Sequence, residues 1–188
     1  MQDKIIYRLR QFLRGLNVHI TEDEQGLVRE ILTPTAQALF RQMPPDAQRH
    51  SLNVLYTLQE DGPDVVPDLA AAALLHDVGK VATEKAGIKL TLWLRGPLVL
   101  LNFFAPGWKH DLAADVPMPK TLIQRWQYLL YVHFEHPQIG SVWAEDANCS
   151  PLTCWLIKHH QTDVQLIDEP HALWKIFLVA LQCADGRN

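Results

Sequence analysis

The sequence predicts an all-α protein. Three observations carry that reading: apolar residues recur at helical spacing along the chain, Pro, Gly and Asx clusters punctuate those runs, and helix-start signatures stand at the punctuation points. No internal repeat and no low-complexity stretch interrupts the pattern.

Taken in order, Ile5, Ile6, Leu9, Phe12, Leu13 and Leu16 line one face of a first helix, which the break at Gly15 to Asn17 closes. Thr21 with Glu24 three residues on is a capping-box signature. It opens a second helix with Leu27, Val28, Ile31 and Leu32 on its apolar side, and Pro34 is expected to kink or end it. Pro44 and Pro45 break the chain, and Asp46 is expected to cap a helix that carries His50, Leu52, Val54, Leu55 and Leu58 to the turn at Asp61-Gly62-Pro63. Pro67-Asp68 starts the next helix, DLAAAALLHDVGK, which is alanine-rich and apolar almost all round, as a helix at the centre of a bundle is. Gly79 is expected to end it, with His76 and Asp77 in its last turn.

The stretch from Leu90 to Trp108 is the most hydrophobic in the chain, but Arg95, Gly96-Pro97 and Asn102 interrupt it, which argues against a transmembrane span. It is expected to be a packed connector or a dimer surface, with a lid or a peripheral membrane contact as the alternatives. From Thr121 to about His133 the helical spacing returns, ending before His136-Pro137, and a shorter helix follows through Ile139, Val142 and Trp143. Ser150-Pro151 supplies an N-cap and a first-turn proline for PLTCWLIKHHQ, with His159-His160 near its end. Pro170 precedes HALWKIFLVALQCAD, an apolar helix whose single late carboxylate is Asp185.

With 188 residues, 48% of them hydrophobic and 20% charged, the chain is long enough to bury a core as one compact domain. Its 17 basic and 21 acidic residues give a formal charge of -4 with no basic stripe, so a polynucleotide is not the expected partner. Cys149, Cys154 and Cys183 lack CxxC spacing, and the start MQDKIIYRLRQF has no signal-peptide core. A cytoplasmic location is expected, with the cysteines as small core residues.

Four elements far apart in sequence each bring a His or Asp to an otherwise apolar helix or its end, and imidazole with carboxylate is the ligand mixture that borderline divalent metals accept. A charged pair such as His76-Asp77 at the tip of a buried helix is unfavourable unless paired or bound to metal. RHSLNV, LLHDVGK and ALQCAD resemble the H…HD…D signature of the HD superfamily of metal-dependent phosphohydrolases, carried by His50, His76, Asp77 and Asp185. HFEHPQIGS and IKHHQ resemble the extra histidines of its HDIG and HD-GYP branches, which include cyclic-dinucleotide phosphodiesterases, although QTDVQLIDEP carries no GYP motif.

The resemblance implies a helical bundle of the HD-domain type over residues 46–188; residues 1–45 lie outside it and are expected to be a helical extension packed on the same domain, with a dimer contact as the alternative. It also implies a second metal at His136, His159 and His160; His133 is the competitor to His136. Mn or Fe is expected more than Mg, with Ni or Co as alternatives. Asp77 would bridge two ions, and a metal-activated hydroxide would attack a phosphomonoester or phosphodiester, a nucleotide or cyclic dinucleotide being the expected substrate. Lys80 reads either as a phosphate contact or as a solvated lysine at a helix C-terminus. The competing reading is a non-catalytic metal-bound sensing or interaction module. A homodimer is left open.

Overall fold

The computed structural model describes residues 19–62, 65–88, 113–116, 118–168 and 171–188. The expected first helix and the 90–108 connector lie outside them. The described residues are all-α, with no strand among them: α1 (Glu22–Ile31), α2 (Pro34–Gln42), α3 (Pro45–Asp61), α4 (Pro67–Leu75), a 3-10 turn (Val78–Val81), α5 (Ala82–Lys85), α6 (Leu122–Asp146), α7 (Pro151–His159), a second 3-10 turn (Val164–Leu166) and α8 (Ala172–Arg187). None of their helices is long and apolar enough to cross a membrane.

Local chemistry sets most of these boundaries. Thr21 and Glu24 form the full capping box at α1, each side chain accepting from the other's backbone N–H. Pro34 does not kink α1, because the helix has already ended at Ile31; it stands at the first turn of α2, where its missing N–H leaves nothing unpaired. Pro45 likewise opens α3, which moves the cap position to Pro44 and leaves Asp46 in the first turn without the capping role expected of it. Ser150 caps α7 and also donates to the Asp68 carboxylate, tying the start of α7 to the first turn of α4.

α4 is the centre of the molecule. Every residue from Leu69 to Leu75 is buried, and the helix packs against α1, α2, α3, α7 and α8. Its four alanines let those neighbours come close, while each fully buried leucine, such as Leu74 or Leu75, contributes about 1.5–3 kcal/mol. Val28, Leu32, Ala36, Phe40 and Met43 of the α1–α2 region belong to the same core.

Two further expectations need correction. α6 is one continuous helix through Pro137, where the sequence suggested a break. The cysteines also divide: Cys149 and Cys154 are half-buried against the core, and burial pushes the Cys149 thiol up to about 11, whereas Cys183 is exposed on α8. The outward face of α8 shows Leu173, Ile176 and Val179 as well, so its apolar composition exceeds what it buries.

Glu24 also joins α1 to α3. Its carboxylate takes both Arg49 guanidinium nitrogens and the Tyr56 hydroxyl, and the Arg49 hydrogen bonds hold its pKa down from 4.5 to about 2. A carboxyl whose folded pKa is depressed stabilises the fold above its unfolded value and loses that contribution as pH falls toward the folded one. Thermal melts of the parent should therefore weaken between about pH 4.5 and 2. Glu24→Gln should flatten that part of the dependence and lower stability at pH 7 by about 1–2 kcal/mol. An acid limb of equal steepness in the variant would exclude this account.

Candidate metal centre

The site forms where α4 and α7 end and where α3, α6 and α8 cross them. Helix C-termini carry partial negative charge, so two of them meeting here favour a cation. α4 stops at Leu75, earlier than expected; His76 stands at its C-cap, Asp77 follows, and the 3-10 turn begins at Val78. His160 stands at the C-cap of α7.

Three histidines are held in one way. His76 Nδ1 lies 2.9 Å from the Ala73 carbonyl oxygen, His136 Nδ1 2.8 Å from that of His133, and His160 Nδ1 2.8 Å from that of Ile157. Each acceptor is three residues back. A carbonyl only accepts, so in the neutral rings the proton sits on Nδ1 and Nε2 offers a lone pair. Ala73 and Ile157 have carbonyls to spare because the last four of any helix lack intrahelical partners. His133 lies inside α6 instead, four residues before Pro137, which has no N–H.

The three Nε2 atoms are buried, have no hydrogen-bond partner, and converge on Asp77. His136 Nε2 is 3.4 Å and His160 Nε2 3.7 Å from Asp77 Oδ1, while His76 Nε2 is 3.7 Å from Oδ2. The carboxylate thus divides its oxygens between two groups. On the Oδ2 side, Asp185 Oδ1 lies 2.9 Å from His50 Nε2 and 3.6 Å from His76 Nε2. His50, His76 and Asp77 form one candidate metal-binding triad and Asp77, His136 and His160 the other, the ligand atoms of each lying within 4.8 Å of one another.

Those separations are ones a bound metal ion could span. Two donors each about 2.1 Å from one ion and roughly perpendicular lie about 3 Å apart, and angles of about 120–125° open that to about 3.7 Å. A lone pair on a buried nitrogen facing a carboxylate is repulsive unless a cation or a proton stands between them. The donor set, imidazole with carboxylate, is one that Zn, Fe, Mn, Ni or Co accepts.

The charges respond as expected of such a cluster. Burial works to raise the Asp77 pKa, yet Lys80 and the surrounding histidines hold it well below the usual carboxylate range. Asp185 is likewise held far down, against burial, by His50 and His76. Burial opposes protonation of His76, but Asp77 and Asp185 bring its pKa above the ordinary value; at His136 burial wins and the pKa falls. Lys80 Nζ donates to Asp77 Oδ2 at 2.6 Å, and its side chain is 44% exposed, placing the ammonium at the rim.

Of the residues singled out from the sequence, His50, His76, Asp77, Lys80, His136, His160 and Asp185 come together. His159 is not brought into either triad: its ring packs on Trp155 at 4.8 Å between centroids, and its carbonyl accepts from Gln182. The signal separating the two neighbours was available, since His160 continues the buried positions Thr153, Leu156 and Ile157 at helical spacing, while His159 falls four residues after half-buried Trp155. Spacing does not separate His136 from His133, which both follow buried leucines by one turn or two; the structure does, burying His136 fully and leaving His133 half-buried.

Sequence reasoning missed the supports: the three backbone carbonyls, and the pair Gly79 and Gly140 that lets the 3-10 turn lie on α6. A Cβ on Gly79 would stand 2.1 Å from the His136 carbonyl oxygen. Comparison with known protein families, with curated proteins and with solved structures returned no match.

Proposed function

We propose that this chain is a metal-dependent phosphohydrolase of the HD type. In it His50, His76, Asp77 and Asp185 hold one divalent ion, and Asp77, His136 and His160 hold a second. The observation that carries the reading is the convergence of three buried, unpartnered Nε2 atoms on the two oxygens of one carboxylate. Divalent ions there supply Lewis acidity, neutralisation of phosphoryl charge and a water ionised near neutral pH.

The chain's own residues do the rest. The Nδ1–H bonds to Ala73, His133 and Ile157 fix each imidazole in the tautomer that offers Nε2. Asp77 would contribute to both ion positions. Lys80 reaches the rim, where its ammonium meets the negative charge of a phosphate ester and holds it over the site. The partly exposed sides of His50 and Asp185, at 27% and 30%, would be the side from which substrate enters. A small phosphate ester is the proposed substrate; a nucleotide or cyclic dinucleotide is the favoured class, and the net charge of -4 disfavours a polynucleotide. Mn or Fe suits the histidine-rich set better than Mg, which prefers oxygen ligands.

Elemental analysis of the purified chain, paired with hydrolysis of bis-p-nitrophenyl phosphate, mononucleotides and cyclic dinucleotides in added Mn, tests the proposal. Two metals per chain with turnover support it. Metal without turnover after Mn and Fe reconstitution leaves a metal-bound sensing module, and neither metal nor turnover ends both readings. A paired substitution tests the assignment of the second ion. His160→Ala should lose about one metal equivalent, whereas His159→Ala should keep both. The reverse pattern would return His159 to the ligand set.

A further inference from the structure

We infer that Pro137 is a positioning residue for the second half of this site: lying inside α6, it withholds the backbone N–H that would otherwise occupy the His133 carbonyl, and leaves that oxygen to orient His136. The inference rests on the metal reading only where its effect on metal affinity is concerned.

Three imidazoles need the same thing, a backbone carbonyl three residues back that is not already spent in a helical ladder. His76 and His160 obtain theirs by standing at helix C-caps. His136 cannot, because α6 continues past it to Asp146. In an unbroken α-helix the His133 carbonyl would accept from the N–H of residue 137. Proline is the one residue that lacks this donor, and its ring also crowds the carbonyl four positions back, turning that oxygen away from the ladder. The oxygen accepts from His136 Nδ1 at 2.8 Å instead. The ring is then fully buried with Nε2 3.4 Å from Asp77 Oδ1.

Proline is the least favourable residue for a helix interior, and α6 carries no other. Its position is the only one whose missing N–H would free the acceptor His136 uses. The helix is thus opened at one hydrogen bond, and the imidazole fills the opening.

The test compares the full chain with Pro137→Ala, which restores the N–H. Long-range nitrogen–proton NMR of the metal-free proteins reads the His136 tautomer. The parent should carry the proton on Nδ1, and the variant should show a mixture with the Nε2–H form. Calorimetric titration with Mn should find the first ion bound as in the parent and the second about ten- to a hundredfold more weakly. The melting temperature of the metal-free variant should be equal to or above the parent's, because the helix regains a bond and a better helix former. A purely structural role for Pro137 predicts the opposite set: a lower melting temperature with tautomer and second-ion affinity unmoved, and that set overturns the inference. An Nε2–H His136 in the parent overturns it without any variant. If the parent takes up no metal, the metal reading falls, and the tautomer comparison alone decides for or against Pro137.

Discussion

Asp77→Asn is expected to strip both ions and lower metal-dependent hydrolysis by at least about a thousandfold, a loss of roughly 4 kcal/mol of transition-state stabilisation. Each oxygen of this carboxylate serves a different group: Oδ1 faces His136 and His160, and Oδ2 faces His76 and Lys80. An amide of the same shape offers one neutral oxygen, and its NH2 end repels a cation. Among the described residues no other carboxylate approaches all three buried Nε2 atoms, since Asp185 reaches His50 and His76 only. The fold should survive, because Lys80 is 44% exposed and can turn into water when its partner loses charge. Circular dichroism separates loss of fold from loss of metal, and elemental analysis reads the second directly. Metal-dependent turnover within tenfold of the parent would sink the proposed role of Asp77.

The parts of this architecture that the sequence made legible are those decided within one helical turn. The capping box at Thr21 and Glu24, the N-cap at Ser150 and the first-turn prolines at 67 and 151 act on adjacent backbone, so their effect does not depend on the rest of the fold. The apolar circumference of α4 announced a central helix for a similar reason, because burial on every side leaves a compositional mark. What was misread depended on a contact the local pattern does not contain. Pro137 is a helix breaker by intrinsic preference, yet α6 passes through it. Part of the backbone pairing that proline cannot supply is replaced by a side chain, His136, whose Nδ1 lies 2.8 Å from the carbonyl four residues before the proline. In the site, residue types identified the ligands, but their sharing did not follow from types. Which of two adjacent histidines turns inward is a question of helix face, and how Asp77 divides its oxygens is a question of how α4, α6 and α7 meet.

That meeting depends on Gly79, and Gly79→Ala is expected to be the most damaging single-methyl addition among the described glycines. The sequence suggested a helix-ending role, but α4 stops at Leu75, and the glycine lies instead in the 3-10 turn against α6. An added Cβ would stand 2.1 Å from the His136 carbonyl oxygen, 2.8 Å from Gly140 N and 2.9 Å from the His136 carbonyl carbon. All three obstacles are backbone, so no rotamer change relieves them, and the turn must move off the helix. Overpacking of a core usually costs 1–3 kcal/mol, and a backbone collision belongs at or above the upper end. A loss of about 3 kcal/mol corresponds to a fall in melting temperature of roughly 6–12 °C for a chain of this size. The displacement acts on the peptide of His136 itself while Asp77 lies just before the same turn, so second-ion binding should weaken along with stability. Gly186→Ala supplies the control, because nothing lies within 4 Å of its added Cβ and α8 gains a better helix former, leaving the melting temperature level or slightly higher. If Gly79→Ala melts within about 2 °C of the parent and binds metal as tightly, the turn does not need to touch α6 for the two halves of the site to share Asp77.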